Sequence, residues 1–165
     1  MKTQVTLVLC CAFLMSYHAF ATTPDIVELR RLYYKASENK QYCDQFYEKV
    51  TSVGDMSMPI LLCYKGMALF LRCRRCLNPY YKLQDFNAGK KLLEEALKRD
   101  PGNVEIRFMR FCIQSQAPRM LGYFGKIQED KNMIINSWKR ISDQDLKEKI
   151  KAYVLTYGNF SEKEK

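Results

Sequence analysis

Asn103, Arg107, Arg110 and Gln114 are the residues of this chain best spaced to do chemistry together. At about 100° per residue they fall onto one narrow stripe of a helix. Val104, Ile106, Phe108, Met109, Phe111, Cys112 and Ile113 fill the remainder apart from Glu105. A helix this apolar is largely buried. Its two guanidiniums therefore either line a groove or are paired inside the fold, with Glu105, Glu94 or the C-terminal carbonyls of a neighbouring helix. In a groove, their planar forks suit a carboxylate or a phosphate, and Tyr80, Tyr81 and Tyr123 supply aromatic walls.

The other constellation is Cys73-Arg74-Arg75-Cys76, which has redox or metal spacing, with arginines that favour thiolate. It closes a long helical pattern, whereas thioredoxin-like sites begin a helix after a strand, and no histidine follows for haem attachment. A four-cysteine zinc site needs two further ligands to converge, and only a single CxxC exists. Beyond residue 21 the cysteines are Cys43, Cys63, Cys73, Cys76 and Cys112, an odd set that leaves at least one thiol unpaired in a monomer. The favoured reading is packed small hydrophobes with at most one disulfide. It involves no metal and no cofactor, and Cys73 and Cys76 are the alternative metal ligands.

Residues 1–21 read as a secretory signal peptide. Lys2 precedes a low-charge run over 5–15, and Ala19-Phe20-Ala21 is a small-x-small cleavage site. An anchor needs about 20 apolar residues, and this run is shorter and ends at Ser16 and His18. No later segment is long enough to span a bilayer, since the apolar stretch 60–71 runs into Arg72, Arg74 and Arg75. The expected address is the periplasm or the extracellular space. His18 is the only histidine and departs with the signal. That removes the commonest general base and the Ser-His and Cys-His pairs. With no phosphate-binding Gly-rich loop and no carboxylate pair in an apolar context, an enzyme is disfavoured.

The formal net charge is +9, and it is unevenly spread. Residues 65–126 hold 13 basic against 5 acidic residues, while the flanking segments nearly balance. Such a patch attracts acidic proteins, anionic polysaccharide or lipid headgroups. Nucleic acid fits the charge but not the compartment.

These residues must be positioned by helices, because no period-2 segment is long enough for a strand. Ile26, Leu29, Tyr33 and Ala36 give the buried face of a first helix opened by Thr23-Pro24. A second runs over 41–53, and 54–57 break it. The third starts near Met58-Pro59, is apolar almost all round and is the central helix, with Gly66 marking close packing. Asn78-Pro79 ends it, a tyrosine-rich loop covers 77–84, and a fourth helix starts near Asp85. The fifth covers 104–115, and Gly122 and Gly125 flank a turn. A sixth helix uses Ile127, Ile134 and Trp138. The last starts with a capping-box-like Ser142 and Asp145, carries Leu146, Ile150, Val154 and Tyr157 inward, and stops at Gly158. The expected organisation is a single domain over 22–160, with a frayed tail at 161–165.

Within the fourth helix, Leu92, Leu93, Ala96 and Leu97 line one face, opposite charges stand four apart on the other, and Asp100-Pro101-Gly102-Asn103 makes the turn. Ala96, Asp100 and Pro101, with Leu62, Gly66 and Leu69 before them, resemble a tetratricopeptide repeat, whose period is about 34 residues. The 77–84 segment lengthens that unit by roughly 11 residues, and Gly89 stands where Ala is usual. The chain also resembles a family of small uncharacterised exported proteins of Bacteroidota. The likeness lies in Asn78-Pro79 with Lys82-Leu83, Glu105-x-Arg107-Phe108-x-Arg110-Phe111 with Gln114, and Pro118-x-x-Leu121-Gly122-Tyr123. The resemblance implies an all-α fold of about seven helices, as antiparallel pairs stacked into a short tetratricopeptide-like repeat. In such domains, basic and amide side chains on inner helices bind peptide termini.

The expected function is that of an exported interaction or scaffold module. It binds an acidic or carboxylate-bearing protein or peptide partner through a basic groove of Asn103, Arg107, Arg110, Gln114 and Tyr123. The alternative is a binder of anionic glycan or of the envelope surface, and an enzyme is third. Stability should be independent of metal. A chelator that lowers the melting temperature by several degrees, with zinc restoring it, would instead assign Cys73 and Cys76 as ligands.

Overall fold

The computed structural model describes residues 25–51 and 58–157. The signal peptide, Thr23-Pro24, the 54–57 break, Gly158 and the 161–165 tail lie outside them. The described residues are all-α, forming seven α-helices and no strand.

Side chains that satisfy orphan N–H groups set most of the helix starts. The Asp25 carboxylate accepts from the Val27 N–H at 2.9 Å to open α1 (Ile26–Glu38). Asn39 accepts from the Gln41 N–H at 3.1 Å where α2 (Gln41–Thr51) begins. Pro59 occupies the first turn of α3 (Pro59–Arg75), where its missing N–H costs nothing. Asn78 accepts from the Tyr80 N–H at 2.9 Å, with Pro79 as the first residue of α4 (Pro79–Arg99). Asn103 caps α5 (Val104–Gln116) by accepting from the N–H groups of Glu105 and Ile106. A 3-10 turn at Arg119–Leu121 ends on Gly122, whose φ of 62° is left-handed, before α6 (Ile127–Ser137). A second 3-10 turn, Trp138–Arg140, leads to α7 (Gln144–Tyr157).

Four local expectations change, one being that Tyr157, expected inward on the last helix, is 53% exposed. Residues 77–84 are not a loop: Asn78-Pro79 is a helix start rather than a stop, so all but the first two of these residues belong to the 21-residue α4. The cap of α7 is Asp143, which accepts from the Leu146 N–H at 3.0 Å, rather than Ser142. Trp138 stands 36% exposed in the 3-10 turn, with the Lys147 ammonium 5.7 Å from its ring centroid, instead of packing inward from α6.

α3 is the central helix, buried on nearly every side from Ile60 to Leu71 and packed against α1, α2, α4 and α5. Its closest neighbour is α4, and two glycines allow the approach. A Cβ on Gly66 would lie 2.9 Å from the Gly89 carbonyl oxygen, and one on Gly89 would lie 3.0 Å from that of Gly66. The unusual Gly89 is thus one half of a reciprocal backbone contact. Leu29, Phe46, Tyr64, Met67, Phe86, Leu93 and Ile106 belong to the main core. A second core joins Phe108, Phe111 and Cys112 of α5 to Ile134 of α6, Ile141, and Leu146, Ile150 and Val154 of α7. α5 is therefore the wall shared by both cores. The helix-pair packing is consistent with a helical repeat. No helix among the described residues is long and apolar enough to cross a membrane.

Gly66→Ala tests the backbone contact. Alanine gains about 1 kcal/mol of helix propensity, but its methyl meets a backbone oxygen that no rotamer change can move, and overpacking costs about 1–3 kcal/mol. Urea denaturation should show a net loss of about 1 kcal/mol or more, whereas Gly102→Ala, with nothing within 4 Å, should be neutral or slightly stabilising.

Candidate functional site

The arginine stripe of α5 faces acids carried by α4 and α6. Arg110 donates from Nε and Nη2 to both carboxylate oxygens of Asp130, at 2.6 and 2.7 Å, and from Nη1 to Glu94 at 3.0 Å. Arg107 donates from Nη1 to Glu129 at 2.6 Å and to Asp130 at 2.9 Å, and from Nε to the Pro101 carbonyl at 3.0 Å. The Arg110 side chain is 6% exposed and that of Asp130 is fully buried. Burial by itself would lower the pKa of Arg110, but Asp130 and Glu94 outweigh it and raise the value. Both guanidiniums are engaged by acids within the fold.

The remaining residues of the stripe are structural as well. Gln114 is buried, and its Oε1 accepts from the Lys126 N–H at 3.2 Å, fixing the start of α6. Asn103 is a helix cap. Tyr123 is buried and donates to Glu94 at 2.6 Å. An open basic groove built from Asn103, Arg107, Arg110, Gln114 and Tyr123 is therefore not what the side chains form. Acids on adjacent helices already fill the guanidinium forks. Of the partners expected for the paired case, Glu94 is used and Glu105 is not. Tyr80 and Tyr81 stand exposed, ring edge to ring face at 5.4 Å, at the start of α4.

Glu105 instead serves Arg30, which sequence reasoning missed. Arg30 is 1% exposed and donates to both oxygens of Glu105 at 2.7 and 2.8 Å, to Asp143 at 2.9 Å and to Asp145 at 2.8 Å. Tyr64 completes the cluster by donating to Glu105 at 2.5 Å. Burial opposes the charge on Arg30, yet the three carboxylates raise its pKa above the ordinary value. Burial, and then Glu105, raise that of Tyr64. A signal was available: Arg30 lies four residues after Ile26 and three before Tyr33, on the face already marked as buried.

Among the described residues the cysteines are free thiols, with Cys63 and Cys112 buried. The arginines beside Cys73 do not activate it. Burial raises the Cys73 thiol, opposed by the weaker pull of Lys82, while Arg75 donates to the Ala36 carbonyl at 2.6 Å and Arg74 to that of Ser37 at 3.4 Å, capping α1. Among the described residues, no group of three or more His, Cys, Asp or Glu side chains could hold a metal ion. No protein-family model matches the chain. No curated protein and no solved structure matches it either.

The open feature is a shallow groove of about 420 Å³ along the outer face of α4, lined by Asn87, Lys90, Lys91, Glu94, Glu95 and Lys98. Its acids are committed elsewhere: Glu94 accepts from Arg110 and Tyr123, and Glu95 from Arg99 at 2.8 Å. Lys90 sits 4.9 Å from the Tyr123 ring centroid. Lys91 and Lys98 are exposed and make no ion pair among the described residues.

Asp130→Ala should destabilise the protein by about 3 kcal/mol, because it removes the fully buried carboxylate that both arginines share and leaves Arg110 with Glu94 as its main partner; urea unfolding at neutral pH reads this directly. Acid should weaken the same network. Bonds from Lys126 and then Arg107 hold the Glu129 carboxylate at about 2, against an ordinary 4.5. Its contribution is therefore complete above pH 4.5 and lost as pH falls toward about 2. Glu129 is 47% exposed, so Glu129→Gln should flatten the acid limb of stability by about 1 kcal/mol or less.

Proposed function

We propose that the chain is an exported, non-enzymatic interaction module of the helical-repeat kind, which binds an acidic segment of a protein or peptide along the outer face of α4. The observation that carries this reading is the division of charges on that face. Its carboxylates are held by arginines and a tyrosine, while Lys91 and Lys98 are left to solvent beside Asn87. Exposed ammonium groups that make no ion pair on a rigid helix favour an extended carboxylate-bearing ligand. The titratable groups buried in the core support binding over catalysis, because Tyr64, Glu105 and Asp130 are each engaged with structural partners. A terminal signal peptide at 1–21 supplies the address, and the tetratricopeptide-like pairing of α3 with α4 supplies the scaffold.

The test uses a fluorescein-labelled oligoglutamate peptide and, in parallel, a polyuronate of matched charge. Charge-assisted hydrogen bonds contribute about 1.5–3 kcal/mol each. Lys91→Glu/Lys98→Glu should therefore weaken peptide binding by at least about tenfold, with only a small fall in melting temperature from the like-charge i,i+4 pairs it creates with Glu95 and Glu94. Equal affinity in the variant would sink the reading. Retention of the polyuronate with the peptide ignored would replace it with the anionic-glycan alternative.

A further inference from the structure

The α1–α2, α3–α4 and α5–α6 connections lie toward one end of the stack, since α3 runs antiparallel to α4 through the Gly66–Gly89 contact and the Arg72–Asp85 pair, and α5 to α6 through the Arg107–Glu129 and Gln114–Lys126 bonds. Arg74 and Arg75, at the end of α3, reach the carbonyls that close α1, which fixes the first two connections side by side. Tyr123, in the third, packs on Phe86 of α4 with ring centroids 6.0 Å apart. This end carries much of the exposed apolar surface of the described residues. Leu77 is 97% exposed on the α3–α4 connection, Tyr80 72%, Tyr81 56% and Leu83 48% on the first turns of α4, and Met120 91% on the α5–α6 connection. Leaving such side chains in water is unfavourable by the area they expose, and clustered exposed apolar residues mark an interaction surface.

We infer that this end of the molecule docks on the surface of an anionic lipid bilayer, with Leu77, Tyr80, Tyr81 and Met120 inserted between headgroups and Arg74, Lys82 and Arg119 on the phosphates.

Two observations select that occupant. Leu77 and Met120, each more than 90% exposed, protrude from the surface rather than line a groove, a shape that a bilayer accommodates by closing around them. The charge is also complementary. Arg74, Lys82, Arg119 and Lys40 are exposed here. Of the acids nearby, Asp85 is bound to Arg72, leaving Glu38 and Asp44 against them. Leu and Tyr beside Arg and Lys is the composition of an interfacial segment, in which aromatic rings sit at headgroup depth and long cationic stems reach back to phosphate. The Arg119 guanidinium already lies 5.9 Å from the Phe124 ring centroid. This face is separate from the lysine row of α4, so each can fail alone.

The experiment is flotation with vesicles of phosphatidylcholine alone or mixed with phosphatidylglycerol. It uses the chain from Thr22 onward, since the buried core side chains run from Leu29 to Val154. Binding should require phosphatidylglycerol and fall steeply as salt is raised. Leu77→Ser/Met120→Ser and Lys82→Glu/Arg119→Glu should each lose it by about tenfold or more, with unchanged helicity and melting. The Lys91→Glu/Lys98→Glu variant should still float. Equal flotation of all variants, binding to phosphatidylcholine alone, or no binding would overturn the inference. So would a concentration-dependent dimer abolished by Leu77→Ser/Met120→Ser, because the patch would then cover a second copy of this chain.

Discussion

A guanidinium cannot be left unpaired away from water, and Arg30 is 1% exposed. Its position therefore demands that acids be brought to it, and the acids come from far along the chain: Glu105 from α5, and Asp143 and Asp145 from the start of α7. Tyr64 of α3 donates to the same Glu105. One buried charge thereby fixes how α1, α3, α5 and the α7 terminus sit around each other. The apolar cores on either side of α5 fill the space that this arrangement defines. A hydrophobic pair in its place would tolerate sliding, whereas a bidentate guanidinium–carboxylate fork accepts only one register.

The second ionic cluster follows the same logic on the opposite side of α5. Arg107 and Arg110 project toward α6 and α4, where Asp130, Glu129 and Glu94 meet them. Much of the basic excess of residues 65–126 is thus spent inside the molecule or along helix ends: Arg72 on Asp85, Arg75 on Ala36, and the stripe on its acids. What remains for solvent is the lysine row of α4 and the cations at the turn end. Net charge alone located the basic region but not which of its cations face solvent.

The helices were legible wherever period and caps agreed. Pro101-Gly102-Asn103 marks the α4–α5 turn correctly, and the all-round apolar run of α3 identifies the central helix. Gly66 announced a close approach, although its partner, Gly89, could only be named once the pairing of α3 with α4 was known. Asn78-Pro79 was ambiguous for a physical reason: the dipeptide that forbids continuation of one helix is also a good opening for the next, and three residues suffice between them. The arginine stripe was found by spacing. Whether it faced a ligand or an acid depended on α6, which contributes Asp130 from 20 residues away, and no local pattern reports that.

The Arg30–Asp145 bond spans 115 residues of sequence. In an open solenoid each unit touches only its neighbours, so ends can unravel independently and folding can begin anywhere. Here the first described helix is clasped to the last, and the ring of contacts is complete only when both termini of the domain have arrived. Helices joined by short connections form local contacts quickly, yet this closure carries the entropy of a long loop. The domain is thereby made to behave as one cooperative unit, in which loosening α1 also loosens the start of α7.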